Sequence, residues 1–431
     1  VQGAALPRGT RSKRRTGRPI MAVHTEIPTF SDFVASLYAV EFDAYNSRPD
    51  TAVRDFAAFE EMRRYLIDRN AGMEAVHSFT ETDGDIIDCV PAEQQPGLAK
   101  TGTKPLPTPD PPSELQRSAE APEFETEPPH SPPPQLRPDR RDRYGNQMLC
   151  PEGTVPMLRL TLERLVSFPT LTDFLQGGLR VRRDEAGVAH PFGKIWGNAY
   201  DSRDNNGGAS GINVWSPQVF GVESSASQQW YTSGAHSSPF QTVECGYRLG
   251  PPFDNKPRLF VFYTPDGYTT WFYNDNHFGT WVYAAGASHV LGTVLTASQP
   301  GAPVQYRMGF FLTGGGWWFS VGGTWVGYYP TTTTFGSGVL ATKAATAGFG
   351  GEVGGVGTSF PSMGSGKRPA AGYGHAAYQH DVIIALPAGA ESANLTPEPT
   401  SVNCYGLEVT NHSGSSWGSY LFFGGPGGLN C

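Results

Sequence analysis

The 431-residue sequence predicts an all-β main domain, an antiparallel β-sandwich over residues 191–431, behind a small mixed α/β N-terminal unit and a disordered proline-rich linker. Three observations predict it. The chain uses 53 Gly and 37 Pro, and long helical periodicity is scarce after about residue 180, so turns must punctuate short extended runs. After residue 191, β-branched and aromatic runs follow one another with turn chemistry between them and no helices, the pattern of an antiparallel sandwich or barrel. Between residues 92 and 146 the composition shifts abruptly to Pro, Glu, Arg, Ser and Thr.

Taken in order, residues 1–21 read as a disordered tail. Its basic cluster, Arg11 to Arg18, is too short to make a chain of net charge −8 a nucleic-acid binder. Val1 to Pro19 has no apolar signal-peptide core, and no apolar run is long enough to span a bilayer. Secretion is argued instead from two glycosylation sequons in loop-like segments, at Asn394 and Asn411, and from five cysteines that permit two disulfides and a free thiol.

Residues 22–94 form the N-terminal unit. Val53, Phe56, Phe59, Met62 and Leu66 recur at helical spacing behind an Asp50-Thr51 cap, and Glu74 to Val90 reads as two strands about the Asp83-Gly84 turn. Residues 95–148, with Lys104–Pro112 (KPLPTPDPP) and Pro128–Pro134 (PPHSPPP), read as a disordered spacer. In residues 149–190, Met157, Leu160, Leu162, Leu165 and Val166 predict a short helix; a second apolar segment follows at Leu171 to Leu175, then a polar junction, Arg180 to His190, whose Arg182-Arg183 pair is an exposed loop or a maturation site.

In the β-domain, Ile212–Phe220, Gln228–Ser233, Thr242–Leu249, Arg258–Thr264 and Thr269–Tyr273 read as strands. Val304–Leu312 and Trp317–Tyr329 read as a long hairpin about Thr313–Gly316.

This domain holds six Glu and six Asp, most of them in turn-like polar segments where solvated charge is the plain reading. Two stand apart. Glu352 lies in Gly348–Gly355 (GFGGEVGG), with no other acid back to Asp275; Glu244 lies in Phe240–Leu249 (FQTVECGYRL). As a strand, the latter turns Val243, Cys245 and Tyr247 to one face and Glu244, Gly246 and Arg248 to the other, with the glycine leaving room beside the acid. Two carboxylates facing one another under partial burial push their pKa values apart, so that one holds a proton while the other is ionised: an acid and a base for activating water. Spacing leaves open whether they meet or are two buried structural acids. Cys245, on the opposite face, reads as a core thiol. No His-Glu-x-x-His, Cys-x-x-Cys pair, phosphate loop or Gly-x-Ser-x-Gly elbow is present, and neither metal nor cofactor is expected.

At these segments the chain resembles the neprosin family of glutamic peptidases, prolyl endopeptidases with an N-terminal activation-peptide region. The resemblance is carried by Gly211–Trp215 (GINVW), Ser227–Trp230 (SQQW), Val243–Tyr247 (VECGY), Gly350–Val353 (GGEV), Met363–Gly366 (MGSG) and the ending Trp417–Cys431. Upstream, Asp83–Val90 (DGDIIDCV), Gln94–Pro96 and Cys150–Pro156 (CPEGTVP) resemble the activation-peptide region. The resemblance implies a secreted β-sandwich zymogen with catalytic Glu244 and Glu352, acidic working pH, cleavage after proline, no metal, and a restraining propeptide. Its partners would be proline-containing polypeptides and its own propeptide. Gln228 is a candidate polar contact to the tetrahedral intermediate, and Trp215, Trp230 and Tyr247 are candidate walls for a pyrrolidine ring. Disulfides are expected from Cys404 to Cys431 and from Cys89 to Cys150, leaving Cys245 free. Three features depart from the family: Cys245 in place of a small residue, the long linker, and no closely spaced cysteine pair in the middle of the β-domain. Paired carboxylates on an aromatic-rich sandwich also suit a glycoside hydrolase or a carbohydrate-binding module.

Overall fold

The structure, a computed structural model, describes residues 27–116, 128–177, 181–183, 189–398, 400 and 402–431. The tail over residues 1–21 lies outside them.

Two helices open the N-terminal unit. Helix α1 (Phe30–Ala39) is capped by Thr29, whose hydroxyl accepts from the Asp32 amide. Helix α2 (Phe56–Asn70) starts four to five residues later than an Asp50-Thr51 cap would place it, because the Asp55 carboxylate takes the Ala58 N–H and becomes the cap. The predicted hairpin forms from strands β1 (His77–Thr80) and β2 (Ile86–Pro91), with Gly84 at φ +96°. A third strand, β3 (Thr154–Leu158), pairs with β2 where the sequence pattern predicted helix; the helices begin only at Leu162–Val166 and Leu171–Leu175. Leu37, Phe59, Met62 and Leu66 then share one core with Leu162, Leu165, Val166 and Phe174. The described parts of 22–94 and of 149–177, expected as two parts of one N-terminal unit, pack together, and a Cys89–Cys150 disulfide stitches them.

The β-domain is a sandwich of two antiparallel sheets. In chain order its strands are β4 (Val181–Arg183), β5 (Ala189–Asp201), β6 (Gly207–Asn213), β7 (Ser224–Thr232), β8 (Thr242–Leu249), β9 (Arg258–Thr264), β10 (Phe272–Tyr273) and β11 (Val282–Tyr283). There follow β12 (Gln305–Thr313), β13 (Gly316–Val321), β14 (Thr324–Pro330), β15 (Thr346–Val356), β16 (Ser359–Phe360) and β17 (Ala377–Leu386). The front sheet runs β10-β9-β8-β7-β15, with β5 on the other side of β15; the back sheet runs β11-β14-β13-β12-β6-β17 and continues into Tyr420–Gly424. Between them lie Val243, Cys245, Tyr247, Tyr231, Phe349, Met308, Phe310 and Trp317, so the alternation read from the sequence around Glu244 holds. Cys404 is bonded to Cys431, and Cys245 is free and buried.

The predicted strand Trp317–Tyr329 is two strands. Gly322 and Gly323, at φ +59° and +81°, supply the two positive-φ residues of a tight hairpin turn that glycine enters without strain. Arg182 and Arg183, expected in a loop, pair on β4 with His190 and Ala189; residues 184–188 are outside the described residues.

The segment 95–148, predicted to be disordered, is packed against the sandwich over its described parts, 95–116 and 128–148. Leu98, Leu115, Leu136 and Met148 are buried, and His130 bridges to Val304. Composition misleads here because the segment needs no core of its own. Its few apolar side chains fill an existing surface, and its backbone groups are bonded by side chains of that surface.

Candidate active site

Glu244 and Glu352 lie on one face of the front sheet, on strands β8 and β15, with β7 between them. The register sets Glu244 beside Trp230, Gly246 and Gly350 on either side of Gln228, and Glu352 and Arg248 on either side of Ala226. The two acids therefore stand on a diagonal with Gln228 at its midpoint. Each flanking glycine is required by the close approach of β-strand backbone: a β-carbon on Gly246 would sit 2.1 Å from the Ser227 carbonyl oxygen, and one on Gly350 would sit 2.3 Å from that of Gly197. The result is a stretch of bare backbone around one amide side chain, between two carboxyl groups.

Both acids are buried, Glu244 to 5 % and Glu352 to 2 % residual exposure, but their partners differ. Glu244 Oε2 accepts from Gln228 Nε2 at 2.7 Å, and Oε1 accepts from the Tyr268 hydroxyl at 3.4 Å. Burial, together with the nearby Glu352 charge and against the pull of Lys194, pushes the Glu244 carboxyl up to about 8. Glu352 is also raised by burial, but Lys194 at 2.9 Å and Arg248 at 3.4 Å, with a 3.0 Å hydrogen bond from Trp196 Nε1, more than reverse this and hold it below the ordinary glutamate range. Lys194 in turn is raised, because the Glu352 carboxylate outweighs the penalty of burial. One glutamate thus keeps its proton where the other is ionised.

Glu352 opens into a cavity of about 370 Å³ walled by Lys194, Trp196, Trp230, Arg248, Phe262 and Tyr268, with Trp271 and Tyr273 beyond. Tyr268, which covers Glu244, is part of that wall. The N-terminal unit also reaches the cavity: Gln176 and Gly177 line it, and the Gln176 carbonyl accepts from Trp271 Nε1 at 2.8 Å. A β-carbon on Gly177, which is at φ +80°, would meet the Tyr273 ring at 2.8 Å.

Of the residues singled out in the sequence, Glu244, Glu352, Gln228 and Trp230 come together here. Trp215 and Tyr247 do not. Tyr247 lies three positions from Glu244, hence on the opposite face of β8, and its hydroxyl accepts from the Trp215 amide at 3.0 Å inside the sandwich core. Lys194, Trp196, Tyr268 and Trp271 were not anticipated. Arg248 was legible, since it shares the Glu244 face by period-two alternation; the others arrive from β5 and from the loop after β9, which no local pattern links to the glutamates.

Residues 221–426 match the model of the Neprosin family. The chain carries a Neprosin domain. The match contains both glutamates, Gln228 and Trp230, and leaves everything before residue 221 outside it. Among solved structures, a scytalido-glutamic peptidase bound to a transition state analog inhibitor is similar over 55 % of this chain and 99 % of that one, at 11 % identity and a TM-score of 0.32. SCP-B, a member of the Eqolisin family of peptidases in complex with a tripeptide, is similar over the same shares at 8 % identity and a TM-score of 0.32. The Neprosin match together with the paired glutamates supports a glutamic-type peptidase.

Proposed function

We propose that the protein is the zymogen of a secreted glutamic endopeptidase that cuts polypeptides after proline at acidic pH, with Glu352 as general base and Glu244 as general acid. The observation that carries this reading is the diagonal of two glutamates across Gln228 on a floor of glycine backbone. Ionised Glu352 takes a proton from water as the water oxygen attacks the scissile carbonyl carbon. Protonated Glu244 gives its proton to the carbonyl oxygen; as the C–N bond breaks, Glu352 passes the proton taken from water to the leaving amine, and the hydroxyl proton returns to Glu244 as the carbonyl re-forms. Gln228, whose amide already donates toward Glu244, lies where it can turn a donor to the developing oxyanion. Trp196, Trp230, Phe262 and Tyr268 give the cavity the aromatic walls that suit a pyrrolidine ring.

The N-terminal unit and the Pro-rich segment act as the propeptide in this reading. Gln176 and Gly177 stand in the cavity, and the unit is held by Tyr65 hydroxyl to the Asn276 carbonyl at 2.7 Å, by Arg69 to Asp275, and by Arg258 to Asp83 and Asp85. Glycosylation suits Asn394 better than Asn411. Asn411 spends its amide on the Leu395 carbonyl at 2.9 Å while accepting the Leu395 N–H at 2.8 Å.

The test is digestion of a proteome-derived peptide library by acid-treated protein, read by mass spectrometry for the residue before each cut. The expected result is cleavage after proline that disappears in Glu244→Gln and Glu352→Gln while both variants stay folded. Cleavage surviving in both variants defeats the assignment.

A further inference from the structure

The outer face of the back sheet is aromatic where an antiparallel sheet ordinarily turns polar residues to water. On β12, β13 and β14 the residues Phe310, Trp317, Phe319 and Tyr329 point into the sandwich, and their neighbours Phe311, Trp318, Trp325 and Tyr328 point away from it. The outward rings form one surface: Trp318 stacks on Tyr328 with centroids 4.2 Å apart, and Trp325 lies 5.7 Å from Trp318 and 6.4 Å from Phe311. A patch of this size is buried because the chain covers it with its own residues 103–115, in which positions 105, 107, 109, 111 and 112 are proline.

The contacts between them are those by which aromatic grooves hold an extended proline helix. Proline fixes φ and removes every second donor from Pro105 to Pro109, leaving a stiff strand with outward carbonyls and few N–H groups. Here Trp325 Nε1 donates to the Pro109 carbonyl at 2.8 Å, and the Tyr328 hydroxyl accepts the Leu106 N–H at 2.7 Å. Further along, Arg307 Nε donates to the Glu114 carbonyl at 2.6 Å and Leu115 is buried beside Phe311 and Trp325. Gly316 keeps the groove floor open: a β-carbon there would lie 2.9 Å from the Tyr328 ring and 3.3 Å from Leu106. The same point is 3.2 Å from Trp318 Nε1, a buried donor without a hydrogen-bond partner among the described residues. Ring stacking and ring N–H or O–H groups reaching backbone read the shape of a proline helix, with little demand on the residues between the prolines.

We propose that this face is a binding groove for extended proline-rich polypeptide, occupied in the full chain by residues 103–115 and open to proline-rich segments of other polypeptides when that segment is cut or displaced. The groove lies on the outer face of the back sheet, while the glutamates lie on the outer face of the front sheet, so it is a second site and does not rest on the peptidase reading.

The test uses the full chain with residues 103–112 replaced by a Gly/Ser stretch of equal length, and a synthetic peptide of the sequence Thr103 to Gln116 as probe, followed by calorimetry and tryptophan fluorescence. Saturable one-to-one binding is expected, at least tenfold weaker for the same peptide with its prolines changed to alanine, and at least tenfold weaker when the chain also carries Trp325→Phe, which keeps a ring and removes the N–H. The unaltered chain should not bind the peptide. Absence of binding to a replaced chain that unfolds cooperatively, or equal binding of the alanine peptide, overturns the proposal. If the replaced chain does not fold, hydrogen exchange on the intact chain decides. Trp325→Phe should speed exchange of the Leu106 amide, which is bonded to the Tyr328 hydroxyl, at least tenfold relative to the amides of β12, and unchanged exchange overturns the groove.

Discussion

Replacing Glu244 by glutamine should make the folded protein more stable, and increasingly so as pH rises. A buried carboxyl pushed up to about 8 from an unfolded value of 4.5 holds a proton between those limits that the unfolded chain has released. The stability it contributes is whole below pH 4.5 and is lost as pH rises through 8, at about 1.4 kcal/mol per pH unit. The ceiling is therefore about 5 kcal/mol at pH 8, and about 3 kcal/mol has gone by pH 7. Glutamine cannot ionise and keeps the local hydrogen bonds, since its oxygen can accept from Gln228 and its amide can donate to the Tyr268 oxygen. Urea unfolding of the wild type and Glu244→Gln at pH 5, 6, 7 and 8 measures the difference, because titrating groups away from the Glu244 site contribute equally to both. The curves should agree within about 1 kcal/mol at pH 5 and separate by a few kcal/mol at pH 8. A difference that does not change with pH would refute the claim that Glu244 is buried as the neutral acid.

Glu352→Gln should show the opposite slope. Its depressed carboxyl contributes stability above the unfolded value that is lost as pH falls, so the variant, with Lys194 and Arg248 unpaired, is weakest against wild type at neutral pH and approaches it in acid; the same unfolding series reads this. In peptide hydrolysis, kcat/KM should fall on the alkaline side near pH 8 as Glu244 ionises and on the acid side below the usual glutamate range; Lys194→Met should move both limbs upward, because Lys194 lowers both carboxyls. Either glutamine variant should lose roughly 10²- to 10⁴-fold in turnover, measured on a fluorogenic peptide. Burial raises the Asp85 carboxyl despite Arg258, so acid neutralises it early, and Asp85→Asn should allow the cleft to open at higher pH than in wild type, read as the pH at which peptide cleavage begins. A single cut in the Pro-rich segment should leave the part of the chain before the cut attached on a non-reducing gel and free it only with reductant, because Cys89 is bonded to Cys150.

How much was legible in the sequence follows from the range of each interaction. The face of β8 that carries Glu244, its glycine neighbour and Arg248 depends on period-two alternation within eight residues, and strands β8 and β9 have the bounds their sequence implies. The glycines flanking both acids were likewise visible, although the reason for them, a strand backbone within 2.1 to 2.3 Å of any added β-carbon, belongs to neighbouring strands. Tyr247 went astray for the converse reason: an aromatic near a carboxylate in sequence is on the wrong face at odd spacing, and Trp215, after β6, is bonded to Tyr247 inside the core. Lys194, which sets the charge of Glu352, sits 158 positions away, and only the pairing of β5 with β15 brings it in. The largest departure, the proline-rich segment, has the same root. Composition measures whether a segment can bury itself, and this one is instead held against Trp318, Trp325 and Tyr328, rings that alternate outward from strands whose inward rings already fill a core. An excess of outward aromatics on β12 to β14 was present in the sequence from the start. It signals that a sheet has a second partner, and a proline-rich stretch with too little apolar content for a core of its own is the kind of partner such a face selects.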